Sequence, residues 1–171
     1  MVLNWNGADL LQRHLPAVIA AADATSLDTR VYVIDNASED DSRAVVAGFD
    51  GVELIAFDDN RRLHAYNRAV AQVECEAFMM LNNDVSPRAD VIDPLWRALS
   101  ADPSVFAVGG EVIDVASGEI DSGPTALRWD RGWTPEPTAL AGADSAIEVA
   151  YVSGGAGLYR RSMFLELGGF W

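Results

Sequence analysis

The chain has 171 residues, 26 acidic and 12 basic side chains and a formal net charge of −14, and half of it is hydrophobic. This suits one globular domain with a real core and excludes a disordered chain. All twelve basic side chains are arginine, which excludes Schiff-base lysine chemistry and a G-x-x-x-x-G-K phosphate loop and disfavours non-specific nucleic-acid binding. In chain order, apolar β-branched runs predict strands at residues 1–4, 31–35, 52–57, 77–82 and 105–109. Their near-continuous hydrophobicity is that of parallel strands covered on both faces. Helical patterns lie between them. Ser38, followed by Glu39-Asp40-Asp41, reads as the N-cap of one helix, and Ser86-Pro87 as the start of another, whose Val91, Leu95, Ala98 and Leu99 share a face until Asp102-Pro103 ends it. The expected fold is therefore α/β, with an open, mostly parallel, doubly wound sheet and right-handed crossovers.

Beyond Gly110 the pattern becomes irregular. Residues 111–147 carry Gly118, Gly123, Pro124, Gly132, Pro135, Pro137 and Gly142 with Trp129 and Trp133 interleaved, and an excursion of that length is usually functional. Order is expected to resume over 147–152, followed by the glycine-rich Ser153-Gly154-Gly155-Ala156-Gly157 and a helix over about 161–167. One domain over 1–171 is expected, with 1–110 as a nucleotide-binding half and 111–171 as part of an acceptor-side half. Both ends read as interrupted, so a chain truncated at its C-terminus is expected.

The single cysteine, Cys75, lies between Glu74 and Glu76 and excludes both a disulfide and a cysteine zinc site. No charged-then-apolar leader opens the chain, and the longest apolar run, residues 15–22, is too short to span a bilayer. A cytoplasmic location follows, with peripheral association at the inner membrane face left open.

Ligands of open α/β sheets bind beyond the carboxyl ends of the strands. Here those ends read Asn4-Trp5-Asn6-Gly7, Asp35-Asn36-Ala37-Ser38, Asp58-Asp59-Asn60 and Asn82-Asn83-Asp84. Each alone is ordinary turn chemistry; together they bring short oxygen-bearing side chains to one rim, which suits a nucleoside diphosphate. A carboxylate after the second strand can accept from ribose hydroxyls or a base N–H. So acidic a chain, lacking lysine, needs a divalent cation to tolerate a diphosphate, and Mg²⁺ or Mn²⁺ with carboxylate ligation at Asp84 answers that need. Arg61, Arg62, His64 and Arg68 form a basic cluster that reads either as a solvated helix face or as a second phosphate contact. Neither a G-x-G-x-x-G after the first strand nor a G-x-S-x-G is present, against a nicotinamide-binding domain and an α/β-hydrolase.

Four blocks carry a resemblance: Val2-Leu3-Asn4-Trp5-Asn6-Gly7; Val33-Ile34-Asp35-Asn36-Ala37-Ser38-Glu39-Asp40; Leu81-Asn82-Asn83-Asp84; and Tyr151-Val152-Ser153-Gly154-Gly155-Ala156 with Arg160-Arg161 and Gly168-Gly169-Phe170. In this order the chain resembles the family-2 inverting glycosyltransferases of the glycosyltransferase-A fold, especially their rhamnosyltransferase-like branch. The resemblance implies that Asn4, Asn6, Asp35, Asn36, Ser38, Asn60, Asn82 and Asn83 line the nucleotide pocket. It implies that Asp84 meets the metal as the last residue of a D-x-D-like motif, and that Ser153, Gly154 and Gly155 border the acceptor. It also implies inverting transfer of a sugar, rhamnose being one candidate, from a dTDP- or UDP-linked donor to a glycan or lipid-linked acceptor in cell-wall or polysaccharide assembly. The family's base lies in an acidic segment after Gly-Gly-Phe, and no residue up to Trp171 matches it, so turnover by this chain alone is expected to be impaired. A second departure is Arg62, which replaces a glycine of the family's Asn-x-Gly-Phe-Ala pattern after Asn60. The rival readings are a nucleotidyltransferase, which wants a basic glycine-rich loop after the first strand, and a degenerate nucleotide-sugar-binding module without turnover.

Overall fold

In the computed structural model, residues 1–123, 147–149 and 151–171 are described in full and 125–126 and 138–139 as backbone strands. Of the expected excursion, Pro124, Trp129, Gly132, Trp133, Pro135, Pro137 and Gly142 lie outside the described residues. The elements in chain order are β1 (Val2–Asn4), α1 (Ala8–Ala24), β2 (Val31–Asn36), α2 (Ser42–Ala47), β3 (Val52–Phe57), α3 (His64–Gln72), β4 (Ala77–Asn82), α4 (Ile92–Ser100), β5 (Ala107–Gly109), β6 (Val112–Ile113), β7 (Ile120–Ser122), β8 (Thr125–Ala126), β9 (Thr138–Ala139), β10 (Ala156–Arg160) and α5 (Arg161–Glu166).

The six-stranded sheet runs β3-β2-β1-β4-β10-β5. Strands β1 to β4 are mutually parallel, whereas β10 lies antiparallel between β4 and β5. Alternate residues of each central strand face opposite cores. Ile34, Phe78, Met80 and Tyr159 pack with Tyr66, Phe164 and Phe170 on the α3/α5 side, while Val2, Val33 and Leu81 pack with Leu11, Leu15 and Val46 on the α1/α2 side. Leu95 and Leu99 of α4 cover Leu158. This double cover explains why β2 is buried at every position.

Three local expectations are corrected. Order after the excursion was expected over 147–152, but the strand is β10, one turn later. Gly157 hides it in the sequence: a Cβ there would stand 2.5 Å from Val152 Cγ1 and 2.9 Å from Tyr159 Cε2, so close backbone approach demands glycine inside a strand, where glycine ordinarily signals a loop. Ser38 does not cap α2, which starts at Ser42 after Asp41; Asp40 Oδ1 instead accepts from the Ser42 amide at 3.0 Å. Ser86 does not cap α4, which starts at Ile92, and its hydroxyl lies 2.8 Å from His14 Nδ1.

A cavity of about 680 Å³ opens at the amino edge of the sheet, lined by Met1, Val31, Tyr32, Phe78, Met79 and Trp96 among others. Met1 N donates to Met79 O at 2.9 Å beside it. This cavity is at the opposite end of the strands from the rim expected to bind ligand.

Candidate functional site

Parallel pairing sets the rim. Asn4 pairs with Asp35 across β1 and β2, and Leu3 pairs with Asn82 across β1 and β4, so the loops after these strands emerge side by side. The antiparallel β10 pairs Ala156 with Leu81, which brings Ser153–Gly155, just before β10, to the same edge. Contact is direct: Asn82 N donates to Gly155 O at 3.0 Å, and a Cβ on Gly155 would lie 2.7 Å from Asn82 Nδ2.

A hydrogen-bond chain fastens these loops together. Asn4 is buried; its Nδ2 donates to Ser38 Oγ at 3.2 Å, and its Oδ1 accepts from Asn83 Nδ2 at 2.7 Å. The Asn6 amide donates to Ser38 Oγ at 2.9 Å, and Asn6 Oδ1 accepts from the Glu39 amide at 2.7 Å. Asn6 adopts φ +50°, a turn that asparagine tolerates better than most residues. Gly7 is squeezed between Asn4 and Asn83, where a Cβ would come within 2.2 Å of Asn83 Nδ2. Asp40 Oδ2 accepts from the Ala8 amide at the start of α1 at 2.9 Å. Burial alone would raise the Asp40 carboxyl, but the Ser42 hydroxyl and the Ala8 and Ser42 amides outweigh that and hold it below the usual carboxylate range.

Asp35 is 1 % exposed. Its Oδ2 accepts from Arg43 Nε at 2.7 Å and from the Ser38 amide at 3.4 Å, whereas its Oδ1 is buried without a hydrogen-bond partner. A buried carboxylate oxygen without a hydrogen-bond partner is costly. Asn36, also buried, is engaged elsewhere: its Nδ2 donates to Asn60 Oδ1 at 2.8 Å and Arg62 O at 3.3 Å, and its Oδ1 accepts from Arg61 N at 3.0 Å. Asn36 and Asn60 thus shape the loop after β3, holding Arg62 at φ +50°, the left-handed conformation that favours the glycine the resemblance puts there.

Two arginines of the basic cluster are engaged with a neighbouring carboxylate. Asp59 accepts from Arg61 Nε and from Arg68 Nη1 at 2.6 Å, hydrogen bonds that hold its carboxyl below the usual range. Arg68 also stacks 3.8 Å over the Phe57 ring. These groups follow β3, three strand spacings, about 14 Å, from β4 and its Asp84.

Asp84 is exposed in the turn that follows β4, closed by Val85 N donating to Asn82 O at 3.3 Å. Among the described residues no group of three His, Cys, Asp or Glu side chains could enclose a metal ion. The donor set therefore does not fit a protein-enclosed metal. It fits Mg²⁺ or Mn²⁺ held by one carboxylate, water and the phosphates of a ligand, the usual pattern for a hard ion shared with a diphosphate.

Residues 1–168 match the profile of Glycosyl transferase family 2. The chain belongs to that family. No curated protein sequence matches it, but solved structures do. A mannosyltransferase from Pyrobaculum calidifontis in complex with GDP-Man and Mn²⁺ aligns at TM-score 0.67 and 20 % identity, over 99 % of this chain and 46 % of that one. S. aureus TarS 1–349 in complex with UDP aligns at TM-score 0.70 and 16 % identity, over 98 % and 48 %. Glucosyl-3-phosphoglycerate synthase from Mycobacterium tuberculosis with UDP aligns at 0.57 and 11 %, over 95 % and 56 %. This family-2 chain thus spans about half the length of the solved structures it resembles and shares their mixed, mostly parallel α/β fold.

The structure brings Asn4, Asn6, Asp35, Ser38, Asn82, Asn83, Asp84 and Ser153–Gly155 to one edge, with Asn36 and Asn60 as supports of the adjoining loop. The sequence reading missed Gly7, Asp40, Ser42 and Arg43. Gly7 and Asp40 stand inside the quoted blocks, whereas nothing in local periodicity shows that Arg43 reaches back eight positions to Asp35.

Proposed function

We propose that this chain is the donor-binding core of an inverting, metal-assisted glycosyltransferase that takes a UDP- or dTDP-linked sugar. The observation that carries the reading is the convergence of the buried Asp35, one of whose oxygens has no hydrogen-bond partner, and the exposed Asp84 two strands away on one edge of a family-2 chain. In this reading Asp35 Oδ1 accepts a donor from the nucleoside. Asn4, Asn83 and Ser38 fix the distance between the nucleoside end and the diphosphate end of the pocket. Asp84 supplies one oxygen to a divalent cation, whose positive charge stabilises the leaving diphosphate. Ser153, Gly154 and Gly155 adjoin Asn82 and border the acceptor, whose hydroxyl displaces the diphosphate at the anomeric carbon with inversion. The resemblance to the rhamnosyltransferase-like branch makes rhamnose the sugar to test first, and a glycan or lipid-linked molecule the acceptor.

The base that takes the acceptor proton is proposed to follow Gly168-Gly169-Phe170. Asn67, in the first turn of α3, accepts from Phe170 N at 3.0 Å and donates to Phe170 O at 2.9 Å. That clamp holds the chain near the end of α3 that adjoins the β3 rim. No helix among the described residues is long and apolar enough to cross a membrane.

Calorimetry with UDP and dTDP, with and without Mn²⁺, tests the proposal. The expected result is binding that Mn²⁺ strengthens and that loses this dependence in Asp84→Ala. Binding indifferent to Mn²⁺ in both proteins would remove Asp84 from the account, and no nucleotide binding at all would favour the degenerate module.

A further inference from the structure

We propose that Arg62 is an oxyanion-contacting residue of the donor site: its guanidinium binds a negatively charged oxygen of the nucleotide sugar, on the diphosphate or on a carboxylate-bearing sugar. The inference rests on the donor-site reading above and adds to it a contact that needs no metal. Four arginines stand near the ends of β2 and β3, and three of them are already taken. Arg43 pairs with Asp35, and Arg61 and Arg68 both pair with Asp59. Arg62 is exposed, and its guanidinium has no hydrogen bond or ion pair among the described residues.

The backbone of Arg62 is as fixed as its side chain is free. Arg62 N donates to Asn60 Oδ1 at 2.9 Å, Arg62 O accepts from Asn36 Nδ2 at 3.3 Å, and Asn36 Nδ2 also donates to Asn60 Oδ1 at 2.8 Å. Asn36 is buried and follows Asp35 in β2, so this triangle seats Arg62 on the carboxyl edge of the sheet. The seat imposes φ +50° on a residue with a long side chain, where glycine would sit more easily. Among the described residues the left-handed backbones other than glycine are Asn6, Ala37 and Arg62, which follow β1, β2 and β3 at that same edge. Strain of this kind persists where the surrounding structure enforces it, and it clusters at ligand sites. Reach is adequate. Asp84 follows β4, three strand spacings or about 14 Å along the edge. An extended arginine side chain covers roughly half of that, with six bonds of about 1.5 Å in zigzag. A nucleotide sugar lying along the edge towards Asp84 passes within range of the guanidinium, whose planar fork fits carboxylate and phosphate oxygens.

Arg62→Gly removes the guanidinium and suits the left-handed backbone, so the loop is kept while the contact is lost. Calorimetry with UDP, UDP-glucose and UDP-glucuronate at low salt compares this variant with the wild type and with Arg62→Lys. In Arg62→Gly at least one of the three is expected to bind roughly three- to tenfold more weakly even though the thermal midpoint rises, and Arg62→Lys should keep most of the affinity. The deficit should shrink as salt rises to about 0.5 M, because contacts between exposed charges are screened. A similar deficit for all three ligands places the diphosphate against Arg62, and a deficit confined to UDP-glucuronate places the sugar carboxylate there. Unchanged affinities for all three, or a deficit that ignores salt, would overturn the role of Arg62 and leave the donor site standing. Failure of the wild type to bind any of them would overturn the donor site and this inference together.

Discussion

The two ends of the same parallel strands are built from opposite materials. At the amino edge a roomy cavity is lined mostly by apolar side chains. At the carboxyl edge space is scarce: Gly7 and Gly155 leave no room for a Cβ, and Asn4, Asp35 and Asn36 are buried polar groups. Volume marks the first edge and chemistry marks the second. The proposed donor site rests on convergent buried polar groups and not on the size of a void, because burying a polar group without a partner costs free energy.

The largest expected effects lie at the carboxyl edge. Asp35→Asn is expected to weaken UDP binding by about 1.5–3 kcal/mol, roughly ten- to a hundredfold, as read by calorimetry. Gly7→Ala forces a methyl against Asn4 and Asn83 and should lower stability by about 1–3 kcal/mol and UDP affinity with it. Ala22→Val, at the wall of the amino-edge cavity, should leave UDP affinity unchanged; a fall there equal to that of Gly7→Ala would erase the distinction between the edges. A small gain is expected for Arg62→Gly, which relieves a left-handed backbone and should raise the thermal midpoint by the equivalent of about 0.5–1 kcal/mol.

How far the sequence foretold this edge depends on the range over which each residue acts. Asn4, Asp35, Asn82 and Asp84 are legible because each ends an apolar run, and a run's end says where the chain leaves the sheet. Strand β10 was not, because Gly157 serves a close contact with Val152 and, read locally, imitates a loop. Ser38 was given the wrong partner: a serine before acidic residues looks like a helix cap, whereas its hydroxyl accepts from Asn4 and Asn6 more than thirty positions earlier. The Arg43–Asp35 pair and the engagement of Asn36 with the loop at Asn60–Arg62 are likewise fixed by the register of β2 on β3, which no single segment encodes.

A crystal structure of the chain with UDP and Mn²⁺ bears most directly on the central claim. The account predicts a base N–H within hydrogen-bond distance of Asp35 Oδ1, with an anomalous Mn²⁺ signal between the diphosphate and Asp84. Nucleotide seated in the amino-edge cavity, or Mn²⁺ bound away from Asp84 with Asp35 Oδ1 still unpartnered, would contradict it.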